Sequence, residues 1–371
     1  MRVLFLTKYY PPSEGGIERY GHLLCTGLAR RGEEVEVVAF GEDRKPASSC
    51  TVDGVLVHRL PRHLNPGRAP FSLALLPLLR RLGRHCDLVH LNYPNPWAEV
   101  CHLAMTRHRP TVLSYHSDIG AERLLRWVYV PFSRALLSSV NAVIASSPRY
   151  LASSAVLSSF SAKCRVIPYP VDPAYLVETD PTVVAGIQAE HGPFVLFTGR
   201  LVHYKGLEYL IEALAQLPSL RLLVAGRGPE EERYRSVAAA FGVADRVVFL
   251  GRVSDDRLRT LYQACVCFVL PSVTRLESFG IVLAEAMACG APVISTELDT
   301  GTSFVNQDGR TGFVVPPRDA PALADRVGTL ARNPRLAGEL GRNARRRAAE
   351  LCSQESVVEQ TVQLYREVLA A

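Results

Sequence analysis

Two carboxylates eight positions apart, Glu277 and Glu285, stand in the run LPSVTRLESFGIVLAEAMACGAPV at residues 270–293. Ser278 reads as an N-cap, so a helix is expected from about Phe279, with Glu277 in the loop before it and Glu285 roughly two turns inside. The first-turn N–H groups of Phe279, Gly280 and Ile281 then have no helical acceptor and can hold a phosphate. The helix IVLAEAMA is apolar on nearly every side and should be buried. A carboxylate there must be satisfied, either by ligand hydroxyls or by a neighbouring arginine. Upstream, Arg200 and Lys205 follow Gly199 and the apolar run FVLFT. A planar guanidinium fork and a point-charge ammonium on one loop can converge on a diphosphate; the alternative is a pair of solvated surface cations.

Three weaker features accompany these. Gly15-Gly16 allows backbone N–H groups close to an anion at a helix start, or forms a plain turn. It is not a G-x-G-x-x-G fingerprint, which disfavours a nicotinamide dinucleotide. His116, just past the run TVLSY, can touch a ligand through a ring nitrogen or its backbone, or be structural, and Asp118 reads equally as a helix cap. Gly226-Arg-Gly228-Pro229 and Thr300-Gly301-Thr302-Ser303 are turn chemistry able to line a nucleotide pocket.

The elements that must carry these loops are short apolar runs alternating with helix-compatible stretches. Strands are expected at Val3–Leu6, Glu36–Phe40, Leu88–Leu91, Thr111–Tyr115 and Ala142–Ala145. A second series follows at Phe194–Thr198, Leu220–Ala225, Val247–Leu250, Val266–Leu270, Val293–Ser295 and Gly312–Val315. Their Val, Leu and Phe content suits parallel strands covered on both faces. Leu207–Gln216, Pro229–Phe241 and Asp255–Ala264 are spaced as helices. Two rounds of alternation imply α/β architecture, two doubly wound Rossmann-like domains with ligands beyond the carboxyl ends of strands. Pro168, Pro170 and Pro173 mark the connector, so residues 1–168 and 169–352 form the domains, and the helical tail 353–371 is free to cross back onto the first.

The 371 residues are 48% hydrophobic and 21% charged, which excludes disordered and fibrous classes. Net charge is +6, but residues 1–170 hold 21 Lys and Arg against 12 Asp and Glu, leaving +9 there and −3 in the remainder. The basic half suits phosphate groups, an acidic acceptor or an anionic membrane surface. No nucleic-acid-binding signature accompanies it. Arg62–His85 carries Phe71, Leu73, Leu75, Leu76, Leu78, Leu79 and Leu82 beside Arg68, Arg80, Arg81 and Arg84. Arg123–Ser138 carries Trp127, Tyr129 and Phe132 with Arg123, Arg126 and Arg134. Each is either a docking surface for anionic lipid or a core-facing helix with a basic edge. Nine scattered cysteines without a C-x-x-C pair argue against a zinc site and for a reducing compartment. No secretory leader or apolar span is apparent, so the cytoplasm is expected, with docking on the inner face of the cell membrane as an extension of the basic surfaces.

Taken in order, Arg200, Lys205-Gly206, Gly226-x-Gly228-Pro229, Glu277-x7-Glu285 and Gly290-x-Pro292 resemble the retaining glycosyltransferases of family four, which have the two-domain GT-B fold. Gly15-Gly16-x-Glu18 and Tyr115-His116-Ser117-Asp118 extend the likeness over almost the whole chain. SYHSDI and STELDTGTSFVNQDGRTGFVVPP are similar to bacterial mannosyl- and rhamnosyl-type transferases of surface polysaccharide assembly. The hinge departs from the usual Pro-Asn-Gly-Val-Asp in reading Pro168-Tyr169-Pro170-Val171-Asp172, and Gly301-Thr302-Ser303 replaces the commoner Gly-Gly-x-x-Glu element.

The resemblance implies a ligand cleft between the domains and transfer of a hexose from a nucleoside-diphosphate sugar, GDP-mannose favoured, to a sugar or lipid-linked acceptor. No cofactor or metal is implied. Arg200 and Lys205 would hold the diphosphate and the backbone of Phe279, Gly280 and Ile281 its distal phosphate, with Gly199, Gly226 and Ser278 also on the donor. Glu277 would bind the transferred sugar and Glu285 the ribose. Gly16 would admit acceptor and donor phosphate, and His116 would turn its carbonyl toward the reacting carbon. No second carboxylate is placed as a nucleophile, unlike retaining glycosidases, so same-face attack with proton transfer to the leaving phosphate is expected. The rival readings are a silent nucleotide-sugar-binding protein on the same fold, a sugar-nucleotide epimerase, and a phosphorylase.

Overall fold

The computed structural model describes all residues except 14, 44, 66–68 and 119–122, and the backbone alone at 42, 43 and 123–128. The chain divides into two compact units, Met1–Pro170 with Gln354–Ala371, and Val171–Ser353. The break falls after Pro170 rather than Pro168, because Tyr169 belongs to the first unit, where its ring packs 4.8 Å from that of Tyr20.

The first unit holds strands β1 (Arg2–Leu6), β2 (Glu34–Asp43), β3 (Ser48–Val52), β4 (Val55–Arg62), β5 (Leu88–Tyr93), β6 (Thr111–Tyr115), β7 (Ala142–Ala145) and β8 (Cys164–Val166). They form one sheet in the order β3-β4-β2-β1-β5-β6-β7-β8. All neighbours are parallel except β3 and β4. β3, β4 and β8 were not among the expected strands. SSCTV in β3 is almost wholly exposed, so it carries no apolar run. Its hairpin turn is Asp53-Gly54, both at positive φ (47° and 83°), the twist-matched form of a two-residue hairpin.

The second unit holds β9 (Phe194–Thr198), β10 (Arg221–Ala225), β11 (Val247–Gly251), β12 (Cys267–Leu270), β13 (Val293–Thr296) and β14 (Gly312–Val315). These make an all-parallel sheet in the order β11-β10-β9-β12-β13-β14. Val195, Phe197, Leu222, Val224, Cys267 and Val269 of its central strands are buried with apolar residues of the covering helices. In both sheets the order reverses at the first strand of the unit, β1 and β9, and ligands of open α/β sheets bind beyond the carboxyl ends at that switch.

The tail forms the Gln354–Ala370 helix and packs within the first unit. Val357, Val358, Val362, Leu364 and Tyr365 are buried, and a Cβ on Gly27 of the Gly16–Arg30 helix would stand 2.4 Å from Val358 Cγ2. The close approach of the two helices therefore depends on Gly27 having no side chain.

Candidate active site

Within the second unit the chemistry gathers at the ends of β9, β12 and β13. Gly199 leaves β9 at φ 136°, and the His203–Lys205 turn then closes on Gly206 in the left-handed region, φ 65°. A Cβ on Gly206 would stand 2.2 Å from the Pro271 carbonyl oxygen, and the Val273 N–H donates to the Tyr204 carbonyl at 2.8 Å. This interlock of two loops brings the Lys205 ammonium to the Glu277 carboxylate, Nζ to Oε2 2.5 Å. Both side chains are buried, and Ser272 Oγ also donates to Glu277 Oε2, at 3.1 Å. Thr296, at the end of β13, donates through its hydroxyl to the Ser272 carbonyl. Burial pulls the Lys205 pKa down, but Glu277 beside it, with Tyr204 and Glu285, outweighs that and holds it above the ordinary lysine value. The ammonium is therefore charged at neutral pH.

The helix after Glu277 departs from expectation. It runs Ile281–Ala288, two residues later than expected, and its cap position is Gly280 at φ 82° with no side-chain cap. Ser278 is not the cap, because its carbonyl is tied to the Gly301 N–H at 2.7 Å and the chain turns only after it, at Gly280. The unpartnered amides shift accordingly. Those of Gly280, Ile281 and Val282 donate to nothing among the described residues, and Phe279 is buried beneath Gly301. Glu285 therefore lies about one turn into the helix rather than two. It is buried, and its charge raises the pKa of Tyr262 and Cys289 as well as that of Lys205.

Arg200 stands apart from this knot, exposed on the loop beyond Gly199, with no ion pair among the described residues. Gly226 leaves β10 at φ 140°, and a Cβ there would stand 1.9 Å from the Gly199 carbonyl oxygen. Gly226 is thus required by backbone packing, and Gly199 by its positive φ. Ser272 and Thr296 were not singled out in the sequence; a hydroxyl just past an apolar run was their only signal.

In the first unit, Gly16 opens the Gly16–Arg30 helix, and the Glu18 carboxylate lies over Gly15, 2.1 Å from where a Cβ would stand. Arg59 of β4 donates to the Tyr10 and Pro11 carbonyls and so pins the loop that leads to these glycines. His116 is buried with both ring nitrogens engaged. Nδ1 meets the Tyr169 hydroxyl at 2.5 Å, and Nε2 meets the Asn92 Oδ1 at 3.0 Å. Asn92 accepts there, so Nε2 carries the proton and Nδ1 takes the one from Tyr169. Burial, with the Lys8 charge, lowers the His116 pKa to about 3. Its ring is therefore neutral and occupied, while its carbonyl accepts no hydrogen bond among the described residues. Asp118 does not cap a helix; its Oδ1 accepts from Tyr115 (2.9 Å) and Ser154 (2.7 Å).

The two amphipathic stretches are partly spent on the core. Leu75 and Leu79 of the Leu75–Leu82 helix are buried, leaving Leu64, Leu73, Arg80, Arg81 and Arg84 exposed. Tyr129 turns inward, its hydroxyl donating to Glu99. Arg68 and the side chains of Arg123, Arg126 and Trp127 lie outside the described residues. No helix among the described residues is long and apolar enough to cross a membrane.

Residues 14–175 match the family described as Glycosyltransferase Family 4, and residues 185–347 match Glycosyl transferases group 1. The chain is 35% identical to the O-antigen chain mannosyltransferase C of Escherichia coli, covering 100% of this chain and 99% of that protein. It is 36% identical to the D-rhamnosyltransferase WbpZ of Pseudomonas aeruginosa, covering 95% and 92%. Among solved structures, sucrose-phosphate synthase of Thermosynechococcus elongatus superposes with a TM-score of 0.82 at 25% identity, covering 100% and 99%. Two doubly wound units, a paired Lys205 and Glu277 at a strand switch, and likeness over the full length have one explanation: the chain belongs to the glycosyltransferases of family four, with the GT-B fold.

Proposed function

We propose that the protein transfers a hexose of mannose type from a nucleoside-diphosphate sugar, GDP-mannose favoured, to an acceptor hydroxyl with retention at the anomeric carbon. The setting is cell-surface polysaccharide or glycolipid synthesis, in keeping with the mannosyl- and rhamnosyl-transferring relatives. The observation that carries the reading is the buried, charged Lys205 held by Glu277 at the end of β9. A fixed cation there stabilises a departing diphosphate without reorganising as charge develops. Arg200 adds a guanidinium fork, and the amides of Gly280 and Ile281 add donors for the distal phosphate. Glu277 keeps a second acceptor oxygen for a sugar hydroxyl, and Glu285 is assigned the ribose. Gly16 is assigned to the approach of acceptor and donor phosphate, and the His116 carbonyl to the reacting carbon of the transferred sugar. The leaving phosphate takes the acceptor's proton, which needs no side-chain base.

The acceptor is a sugar or a lipid-linked sugar, and exposed Leu64 and Leu73 with Arg80, Arg81 and Arg84 form the surface proposed to meet anionic lipid on the inner face of the membrane. Co-sedimentation with vesicles of anionic and neutral lipid, at low and high salt, tests this part separately. The reaction is tested with GDP-mannose, UDP-glucose, UDP-N-acetylglucosamine and dTDP-rhamnose, scored by nucleoside diphosphate release and by NMR of the product's anomeric centre. One donor should be consumed, with its configuration kept. Donor binding without release would favour a silent binder, isomerisation without acceptor would favour an epimerase, and inversion would overturn the retaining assignment.

A further inference from the structure

Two residues past the last paired positions of β9 and β10, Thr198 and Ala225, stand Arg200 and Arg227. The ladder does not stop where the strands do. The Gly199 N–H donates to the Ala225 carbonyl at 3.0 Å, and the Leu201 N–H donates to the Arg227 carbonyl at 3.0 Å. Between these bonds Gly199 and Gly226 adopt nearly the same φ, 136° and 140°, so the two chains turn together and keep register. Arg200 and Arg227 therefore sit at opposed positions on adjacent segments, at the carboxyl edge of the sheet and beside its switch strand.

Like charges opposed in this way repel. Both side chains are exposed, and neither makes an ion pair or hydrogen bond among the described residues. The flanking positions contribute nothing, since a Cβ on Gly226 or Gly228 would run into the carbonyl of Gly199 or Leu201 at 1.9 and 2.1 Å. Arg227 is thus the one side chain of its Gly-Arg-Gly loop. Its guanidinium lies along the end of β11, Nε 3.4 Å from where a Cβ of Gly251 would stand. An anion outside the chain accounts for the arrangement, because two guanidinium forks can share its oxygens while no carboxylate among the described residues pairs with either.

We infer that Arg227 is a second donor-binding arginine, forming with Arg200 a clamp on the diphosphate. The donor part of this inference rests on the function proposed above; the anion site does not. In the clamp the two guanidinium forks share the diphosphate oxygens.

Calorimetric titration of the whole protein and of the Arg227→Ala, Arg227→Lys, Arg200→Ala and double Ala variants tests this, with GDP, GMP, UDP, UMP and inorganic pyrophosphate as probes. Arg227→Ala should weaken the preferred diphosphate tenfold or more, and Arg227→Lys should recover less than half of that loss. Arg200→Ala should weaken the diphosphate likewise, and the monophosphate, which has fewer oxygens to share, should lose less in both variants. The double variant should lose less than the product of the single losses. Arg227→Ala binding every probe within twofold of wild type, while Arg200→Ala does not, overturns the clamp. Wild-type binding of pyrophosphate through both arginines with no nucleotide bound supports the anion site and removes the donor reading.

Discussion

Lys205 and Glu277 form a buried ion pair, Nζ to Oε2 2.5 Å, although 72 residues separate them in the chain. Each alone would be an expensive charge to enclose; together they are held in one geometry, with Ser272 on the shared oxygen. The pair couples the cation assigned to the leaving phosphate with the carboxylate assigned to the sugar, so neither can be altered without disturbing the other.

Lys205→Ala should lower kcat by about 10²–10³, the usual cost of removing one fixed donor from a developing anion. It should also destabilise by roughly 3–5 kcal/mol, because Glu277 is left buried without its partner. Lys205→Met combined with Glu277→Gln should restore much of the stability and none of the turnover. Urea unfolding read beside steady-state rates separates the two effects, and normal turnover in the double variant would contradict the role of Lys205.

Gly206→Ala should destabilise far more than Gly242→Ala. Gly206 lies in the left-handed region at φ 65° and Gly242, which ends the Glu231–Ala240 helix, at φ 67°, a conformation that costs an alanine roughly 1–2 kcal/mol. Nothing lies within 4 Å of a Cβ at Gly242, whereas one at Gly206 meets the Pro271 carbonyl at 2.2 Å. The loop interlock should open and nucleotide affinity should fall with stability. Equal urea midpoints for the two variants would show that the interlock carries no strain.

Glu99 of the Pro96–Met105 helix is buried, and burial raises its pKa to about 7, against the lowering pull of hydrogen bonds from Tyr129 and the Asn95 N–H. An unfolded glutamate ionises from its ordinary value of 4.5. Between these values the folded state holds the extra proton, so this group's contribution to stability falls as pH rises from 4.5 to 7 and is fully lost above 7. Glu99→Gln should therefore gain on the wild type as pH increases over that window. Melting temperatures taken at intervals from pH 5 to 8 check the slope; a variant whose melting temperature falls relative to the wild type as pH rises would refute it.

His90 and His116 behave oppositely. Burial holds both near 3, well below the histidine value of 6.5. The unfolded chain takes up protons first, so their contribution is complete above pH 6.5 and is lost as pH falls through 6.5 toward 3. Proton uptake should accompany unfolding at pH 5, measurable by calorimetry in buffers of different ionisation enthalpy. Zero uptake there, once the proton that Glu99 releases on unfolding is added back, would mean that the rings are not held neutral.

Tyr365 on the tail helix is hydrogen-bonded to His90 Nδ1, and His90 Nε2 meets Ser114 Oγ at 2.7 Å, itself 2.7 Å from the Tyr20 hydroxyl. Tyr365→Phe leaves a buried nitrogen unpaired, at a cost of about 1–3 kcal/mol. Removing Gln354–Ala371 should be far worse, since it strips the apolar cover of the Gly16–Arg30 helix. Chemical denaturation of the point variant and solubility of the truncated chain provide the readings.

The strands Thr111–Tyr115, Ala142–Ala145, Phe194–Thr198 and Gly312–Val315 were legible to the residue because a buried parallel strand is a continuous apolar run bounded by breakers. The outer hairpin strand Ser48–Val52 was not, since an exposed edge needs no such run. Ser278 shows a similar limit. Its side chain suits a cap, but the Gly301 N–H claims its carbonyl, and the turn passes to Gly280.

From composition, spacing and motif order alone came the fold class, the two units, the family and the loops that bear the charged residues. These are properties of short stretches, set by local propensity and by which residues avoid water. Tertiary structure decided that Lys205 meets Glu277, that the His116 ring is occupied, and that Arg227 stands opposite Arg200. Each of those is a pairing across strands or loops distant in the chain, fixed by sheet order and backbone packing, which no local pattern encodes.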